Sequence, residues 1–337
     1  MPQPQLIVIT PVRNEAWVLE AFLTHCSSWA DRIIIADQHS TDGSRGIARK
    51  YPKVTLIDNS DTRMDMSNAR RLLFEEVDKI HGDKILFAMD ADEFLSDGFM
   101  STAGWKKIIT STSNTIFCFK WLNLVGDYTH AEVTNMHPYE WACHFSESAS
   151  LKALYAEHVI SKVHEARVPC TSDAQYVDID DIQFVHLGRL NNDRTLNKTT
   201  LYQIISLKDN SNAISIYRFY HHKNPVYNLP AEPKISTCDG IELRHMVQEA
   251  DYGKHYVDEI VDIINRNGIR QYLPLHIWEN KYMKAEGINP NLPFNVKLLH
   301  FYLRLTQQWH KGVAIRSIDK ILKILYSLKT EVHPKTH

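Results

Sequence analysis

A chain of 337 residues, 44% hydrophobic and 23% charged, has ordinary globular composition and enough length for one large domain or a domain with a sizeable appendage. A net charge of −2 excludes the global basicity of a protein that coats nucleic acid, so nucleic acid is not expected among the partners. The five cysteines, Cys26, Cys118, Cys143, Cys170 and Cys238, are widely spaced and lack a C-x-x-C, which argues against a disulfide framework or zinc site and suits a reducing compartment.

The first five residues carry no basic region and lead straight into an apolar run, so no signal peptide is expected. No run of about 18 apolar residues is present that could span a membrane as a helix. A cytoplasmic location follows as the expectation. Residues 6–10 (LIVIT) are short and continuously apolar, as a buried parallel strand requires. Val18, Leu19, Phe22, Leu23 and Cys26 then recur at helical spacing. Residues 32–36 (RIIIA) and 53–58 (KVTLID) read as the second and third strands, and 66–80 as a helix with Leu73, Val77 and Ile80 on one face. A fourth strand at 84–89 (KILFAM) ends in carboxylates, and 115–122 (TIFCFKWL) is a fifth. This alternation predicts an α/β fold with a mostly parallel sheet and flanking helices over residues 1–200. Residues 201–337 read as a mainly helical C-terminal region. In such sheets ligands bind beyond the carboxyl ends of the strands, which directs attention to three stretches.

The first is Pro11-Val12-Arg13-Asn14-Glu15 after the first strand. Local chemistry accounts for part of it: Asn14 is placed to cap the next helix, and Glu15 to sit in its first turn. The second is Asp37-Gln38-His39-Ser40-Thr41-Asp42-Gly43, in which Asp42-Gly43 is turn chemistry and Asp37 has no comparable structural excuse. The third, Met89-Asp90-Ala91-Asp92-Glu93-Phe94, is the strongest. On an extended backbone Asp90 and Asp92 would face one way, offering two hard oxygen ligands to Mn²⁺ or Mg²⁺. Such an ion can stabilise a departing diphosphate.

The three stretches, in this order within residues 6–94, resemble the family 2 glycosyltransferases of the GT-A fold. That resemblance implies a metal-dependent transfer of a sugar from a nucleoside diphosphate sugar, a UDP-sugar by expectation, to an acceptor hydroxyl with inversion. It implies that Pro11, Asn14 and Glu15 line the nucleotide, that Asp37 faces the base or ribose, and that Asp90 and Asp92 hold metal and diphosphate. Arg70 or Arg71 would approach the nucleotide. Gln38 and His39 depart from the family pattern, in the loop that would contact the base. By the same resemblance His186 would reach the metal, and Glu165, in Val163-His164-Glu165, is the first candidate for general base; Asp127, Glu132 and Glu147 compete for that role. The basic stretch Arg189, Arg194, Lys198 reads equally as a phosphate contact or a solvated helix face. A sugar nucleotidyltransferase would carry a Gly-rich basic loop after its first strand, and this chain has none there. A non-catalytic nucleotide-sugar-binding module would have lost a metal carboxylate or the base.

The acceptor is expected to be a glycan or a lipid-linked saccharide, as in surface glycan or lipopolysaccharide biosynthesis. Residues 297–329 carry seven basic residues and one acid on an apolar-periodic pattern. Such a segment either lies on an anionic membrane surface, at the inner face, or packs its apolar side on the protein.

Overall fold

The computed structural model describes residues 3–60, 66–132, 139–157, 167–169, 173–208 and 212–327. They form two compact units, Met1–Leu190 with Val226–Ala250, and Asn191–Pro225 with Asp251–His337. The first unit contains β1 (Gln5–Val12), α1 (Ala16–Ser27), β2 (Arg32–Asp37), α2 (Ser44–Ala48), β3 (Val54–Asp58), α3 (Met66–Val77) and β4 (Lys84–Ala88). It continues through β5 (Glu93–Leu95), α4 (Ala103–Ile109), β6 (Thr115–Val125), β7 (His130–Glu132), β8 (Tyr139–Phe145), α5 (Leu151–Glu157), β9 (Gln175–Arg189) and β10 (Val226–Asn228).

The path through the sheet runs β10-β7-β6-β8-β4-β1-β2-β3, with β9 pairing β6 and β5. Strands β3, β2, β1 and β4 are mutually parallel. Beyond β4 the sheet becomes mixed: β8 is antiparallel to both β4 and β6, and β9 is parallel to β6. The sheet is therefore parallel where the βα alternation is regular and antiparallel where it lapses. Successive side chains on a strand point to opposite faces, and β1 shows the consequence. Val8 and Val12 join a buried cluster with Trp17, Phe22 and Trp105 of α1 and α4. Ile7 and Ile9 join another with Leu73, Phe74 and Tyr155 of α3 and α5. Helices thus cover both faces, which is why the parallel strands read as continuous apolar runs.

His25, on α1, ties the region behind the site together. It is fully buried; its Nδ1 lies 2.7 Å from the Ser236 carbonyl, and its Nε2 accepts the Leu95 N–H at 3.2 Å. Burial pushes its pKa down to about 4, against the opposing pull of the Ser236 carbonyl, so the ring is neutral at pH 7 with its proton on Nδ1. This neutral ring anchors β5, and with it the acidic turn that precedes β5.

The chain leaves the first unit at Leu190, not at residue 200, and returns to it for 226–250, because β10 pairs with β7 and Ser236 meets His25. The second unit contains α6 (Asn192–Lys208), α7 (Ala213–Tyr220), α8 (Lys254–Asn267), α9 (Lys281–Ala285), α10 (Phe294–Thr306) and α11 (Val313–Ser327). Ile214, Tyr217, Leu299 and Leu303 form a small core there, with Tyr302, Leu322 and Tyr326 packed against it. Arg218 donates from Nε and Nη2 to the two oxygens of Asp319, each at 3.0 Å, and to Thr306 Oγ1, fixing α11 to α7. Both members of this ion pair are buried, and each supplies the partner that makes the other's burial tolerable.

Candidate active site

The carboxyl ends of the parallel strands converge as the alternation requires. Val12 pairs with Asp37 across β1 and β2, and Asp37 with Asp58 across β2 and β3. The loops after β1 and β2 interlock. Asn14 adopts φ 56°, an uncommon left-handed conformation that asparagine tolerates better than most residues. Its Oδ1 accepts the Thr41 N–H at 2.7 Å, so it does not cap α1 as the sequence suggested. Asp42 takes that duty from the second loop, accepting the Ala16 N–H at 2.8 Å and the Ser44 N–H at 3.0 Å. Glu15 stands at the N-cap position itself, outside the first turn, and accepts from Trp17 Nε1 at 2.6 Å. Pro11 lies within β1 opposite Ala36.

Asp37 is 1% exposed. Its Oδ2 accepts from Arg45 Nη1 at 2.6 Å and from the Ser40 N–H, while Oδ1 is buried with no hydrogen-bond partner. Arg45 reaches Asp58 at 2.5 Å with its other nitrogen. The arrangement leaves one oriented acceptor oxygen at the strand end, backed by a cation. Of the two arginines expected near a nucleotide, Arg70 is buried. Arg71 is bound on the helix surface to Glu75 at 2.6 Å and Asn68 at 2.8 Å. Asn68 itself donates to Asn59, which follows β3, at 2.6 Å. Arg70 is the one that α3 turns inward.

The acidic motif sits on a turn. The Glu93 N–H donates to the Asp90 carbonyl at 3.1 Å, so Asp90 and Asp92 do not project together as on an extended strand. They serve different partners. Asp90 Oδ2 accepts from Arg167 at 3.0 Å. Glu93, fully buried, accepts from both terminal nitrogens of Arg167, at 2.6 and 2.9 Å, and from the Asp90 N–H and Trp141 Nε1. Burial pushes the Glu93 carboxyl up to about 6; Arg167 opposes a larger rise. Arg167 also lies over the Trp141 ring, 5.1 Å from its centroid. Glu93 therefore fixes the turn and is not offered to a ligand.

Asp92 faces His186. The pairing of β5 with β9 sets Glu93 opposite His186, and the Leu187 N–H donates to the Asp92 carbonyl at 2.9 Å. Asp92 Oδ2 then lies 3.5 Å from His186 Nε2. The other ring nitrogen, Nδ1, donates to Asn123 Oδ1 at 2.7 Å, and Asn123 Nδ2 donates to Glu132 at 2.8 Å. Because Asn123 orients its amide toward Glu132 in this way, His186 Nδ1 carries a proton and Nε2 is the nitrogen that faces Asp92. Glu132 is held in turn by Arg189. Gly188 keeps the space clear: a Cβ there would stand 2.5 Å from His186 Nε2 and 2.7 Å from Asp92 Oδ2. A carboxylate oxygen and an imidazole nitrogen on a ring of fixed orientation, beside a space kept free of side chain, fit a divalent ion with two protein ligands. Its other positions would fall to diphosphate oxygens and water. Among the described residues no group of three or more His, Cys, Asp and Glu side chains is set to hold a metal, and Asp90, expected as a ligand, is engaged by Arg167.

The competitors for the general base sort by geometry. Asp127 is exposed, and hydrogen bonds from His130 and Thr129 pull it down to about 2, making it a weak base. Glu132 is committed to Asn123 and Arg189. Glu147 follows Phe145, which pairs with Lys84 at the beginning of β4, so it lies at the opposite edge of the sheet. Glu165 lies outside the described residues. Arg189 and Arg194 are each bound to a carboxylate, Glu132 and Asp251 respectively, and Lys198 lies over the Tyr202 ring. None of the three stands as a free phosphate contact. Arg167, Asn123 and Arg45 are the site residues the sequence did not disclose, since nothing local distinguishes them from other polar residues.

The strand-end site lies on a mixed α/β domain whose sheet carries helices on both faces. Residues 7–106 match the family model described as Glycosyl transferase family 2, so this segment is similar to a family 2 glycosyltransferase domain. No curated protein matches the chain. Among solved structures it is similar to 4-diphosphocytidyl-2C-methyl-D-erythritol synthase from Anaerococcus prevotii, at 14% identity and a TM-score of 0.32 over 52% of this chain and 89% of that one. It is also similar to glucosyl-3-phosphoglycerate synthase from Mycobacterium tuberculosis, in complex with Mn²⁺, UDP and phosphoglyceric acid, at 14% identity and a TM-score of 0.33 over 54% and 70% of the two chains. A third is the inositol-1-phosphate CTP transferase from T. maritima, at 7% identity and a TM-score of 0.32, covering 55% and 90%.

Proposed function

We propose that the protein is a metal-dependent glycosyltransferase that moves a sugar from a nucleoside diphosphate sugar, a UDP-sugar, to an acceptor hydroxyl on a glycan or lipid-linked saccharide, inverting the anomeric centre. The observation that carries this reading is the Asp92–His186 pair, 3.5 Å apart and beside Gly188, at the strand end where a diphosphate would lie. A divalent ion held there supplies positive charge to the leaving diphosphate. Its imidazole ligand favours Mn²⁺ over Mg²⁺, which prefers oxygen. Asn123 orients His186, and Glu93 with Arg167 holds the turn that presents Asp92. Asp37 faces the base or ribose from the end of β2. Pro11, Asn14, Glu15 and Arg70 line the nucleotide, and Glu165 takes the proton of the acceptor hydroxyl as its oxygen attacks the anomeric carbon.

Asp37 gives the first test. Removing its carboxylate in Asp37→Ala leaves nucleotide donors without a partner, at a cost of about 1–3 kcal/mol. Titration calorimetry with UDP and Mn²⁺ should show affinity falling by roughly ten- to a hundredfold. Unchanged UDP affinity in a folded variant removes Asp37 from the site. If UDP does not bind the unaltered protein while another nucleotide does, the base assignment is wrong.

A further inference from the structure

Helix α10 is apolar on two opposite sides. Val296, Leu299 and Leu303 face inward and are buried. Phe294, Leu298, Phe301 and Leu305 face outward, and each is more than half exposed. At the helical turn per residue these four fall within about 60° of one another, a single stripe. Helix α11 repeats the pattern: Leu322 and Tyr326 pack against the core, while Ile321, Ile324 and Leu325 are more than half exposed. Trp309 and Val313, between the helices, are exposed as well. Of the eighteen large hydrophobic side chains exposed among the described residues, ten lie between 294 and 325. Scattered exposed apolar residues need no explanation; a stripe on each of two adjoining helices does.

The charges beside the stripes select the partner. Lys297, Lys311, Arg316, Lys320 and Lys323 form no ion pair among the described residues. Arg304 is bound to Glu279, and Asp319, the acid of α11, is turned inward and satisfied by Arg218. On α11, Arg316 and Lys320 are exposed and Lys323 is half-buried, and the three share one side of the helix, roughly 140° round from the centre of its apolar stripe. The surface therefore combines aromatic and branched apolar groups with flanking cations and no exposed acid on α10 or α11. No described helix is long and apolar enough to cross a membrane. We infer that α10 and α11 lie on an anionic lipid surface, with Phe294, Leu298, Phe301 and Leu305 entering the headgroup region and the lysines over it. This inference is independent of the donor chemistry.

Co-sedimentation of the full chain with vesicles of phosphatidylglycerol and phosphatidylcholine tests it, against pure phosphatidylcholine. Binding is expected to the anionic vesicles at low salt, and to fall with added salt. Lys320→Glu with Lys323→Glu should weaken it at least tenfold, since each lysine near such a surface is worth about fivefold. Phe301→Asp should abolish it with little change in the melting temperature, because that side chain is more than half exposed. Failure of the unaltered chain to bind anionic vesicles overturns the inference, as does equal binding by both variants. If the chain instead dimerises through this face, with Phe301→Asp monomeric and no vesicle binding, a second copy covers the stripe and the membrane role is lost.

Discussion

Asp92→Asn is expected to abolish transfer while leaving the protein folded. The replacement preserves the shape of a side chain that is almost fully buried and removes one charged oxygen facing His186 Nε2. An ion held with two protein ligands loses the only charged one, an amide oxygen being a much weaker ligand, and the charge the ion lends to the leaving diphosphate goes with it. Metal stabilisation of that charge is worth several kcal/mol, so turnover should fall by about a thousandfold or more. Affinity for Mn²⁺, followed by calorimetry in the presence of UDP, should fall in parallel. Gly188→Ala makes the same point from another direction. It keeps both ligands but puts a methyl group into the space between them, and it should weaken Mn²⁺ binding as well. Near-normal turnover in a folded Asp92→Asn protein would remove the metal from this position.

Glu165→Gln is expected to lower turnover by about two to four orders of magnitude, the range for loss of a general base. Donor and Mn²⁺ affinities should barely change, because the base acts on the acceptor. The log of turnover in the unaltered protein should rise with pH through the pKa of the base and then level off; in the variant that rising limb should vanish. The geometry of the competitors supports the choice, since Asp127 is too weak a base, Glu132 is committed to Arg189, and Glu147 lies at the far edge of the sheet. Normal turnover by Glu165→Gln, with loss of activity on changing one of the three competitors, would move the role to that residue.

The parallel half of the fold was legible because its central strands β1, β2 and β4 are buried on both faces and must be nearly continuously apolar, and because its ligand edge is fixed by strand direction. The positions of Asp37, Asp90 and Asp92 at that edge follow from the same logic. What Asp90 and Asp92 do there was not legible, since the side chains follow a turn that depends on Glu93 meeting Arg167, 74 residues away. Strand β8 was missed because Trp141 to Phe145 is buried without alternation and carries a histidine, His144, that disguises the run. Asn14 looked like a helix cap because capping is its commonest local use; Asp42, from a different loop, displaced it. Asn123 was invisible for the same reason as Arg167: its role is to orient His186, a residue 63 positions away. The two-sided apolar character of α10 was blurred in the sequence, where the stripes read as one hydrophobic periodicity.

The central claim is the reaction itself, and the identity of its products tests it most directly. The purified protein would be incubated with UDP-sugars and Mn²⁺, and in parallel with nucleoside triphosphates and sugar 1-phosphates, with and without a chelator. The account predicts Mn²⁺-dependent release of UDP from a UDP-sugar, lost in the chelator and in Asp92→Asn. Formation of pyrophosphate and a nucleotide sugar from the second mixture, with no nucleoside diphosphate released from any nucleotide sugar, would contradict it and make the protein a nucleotidyltransferase.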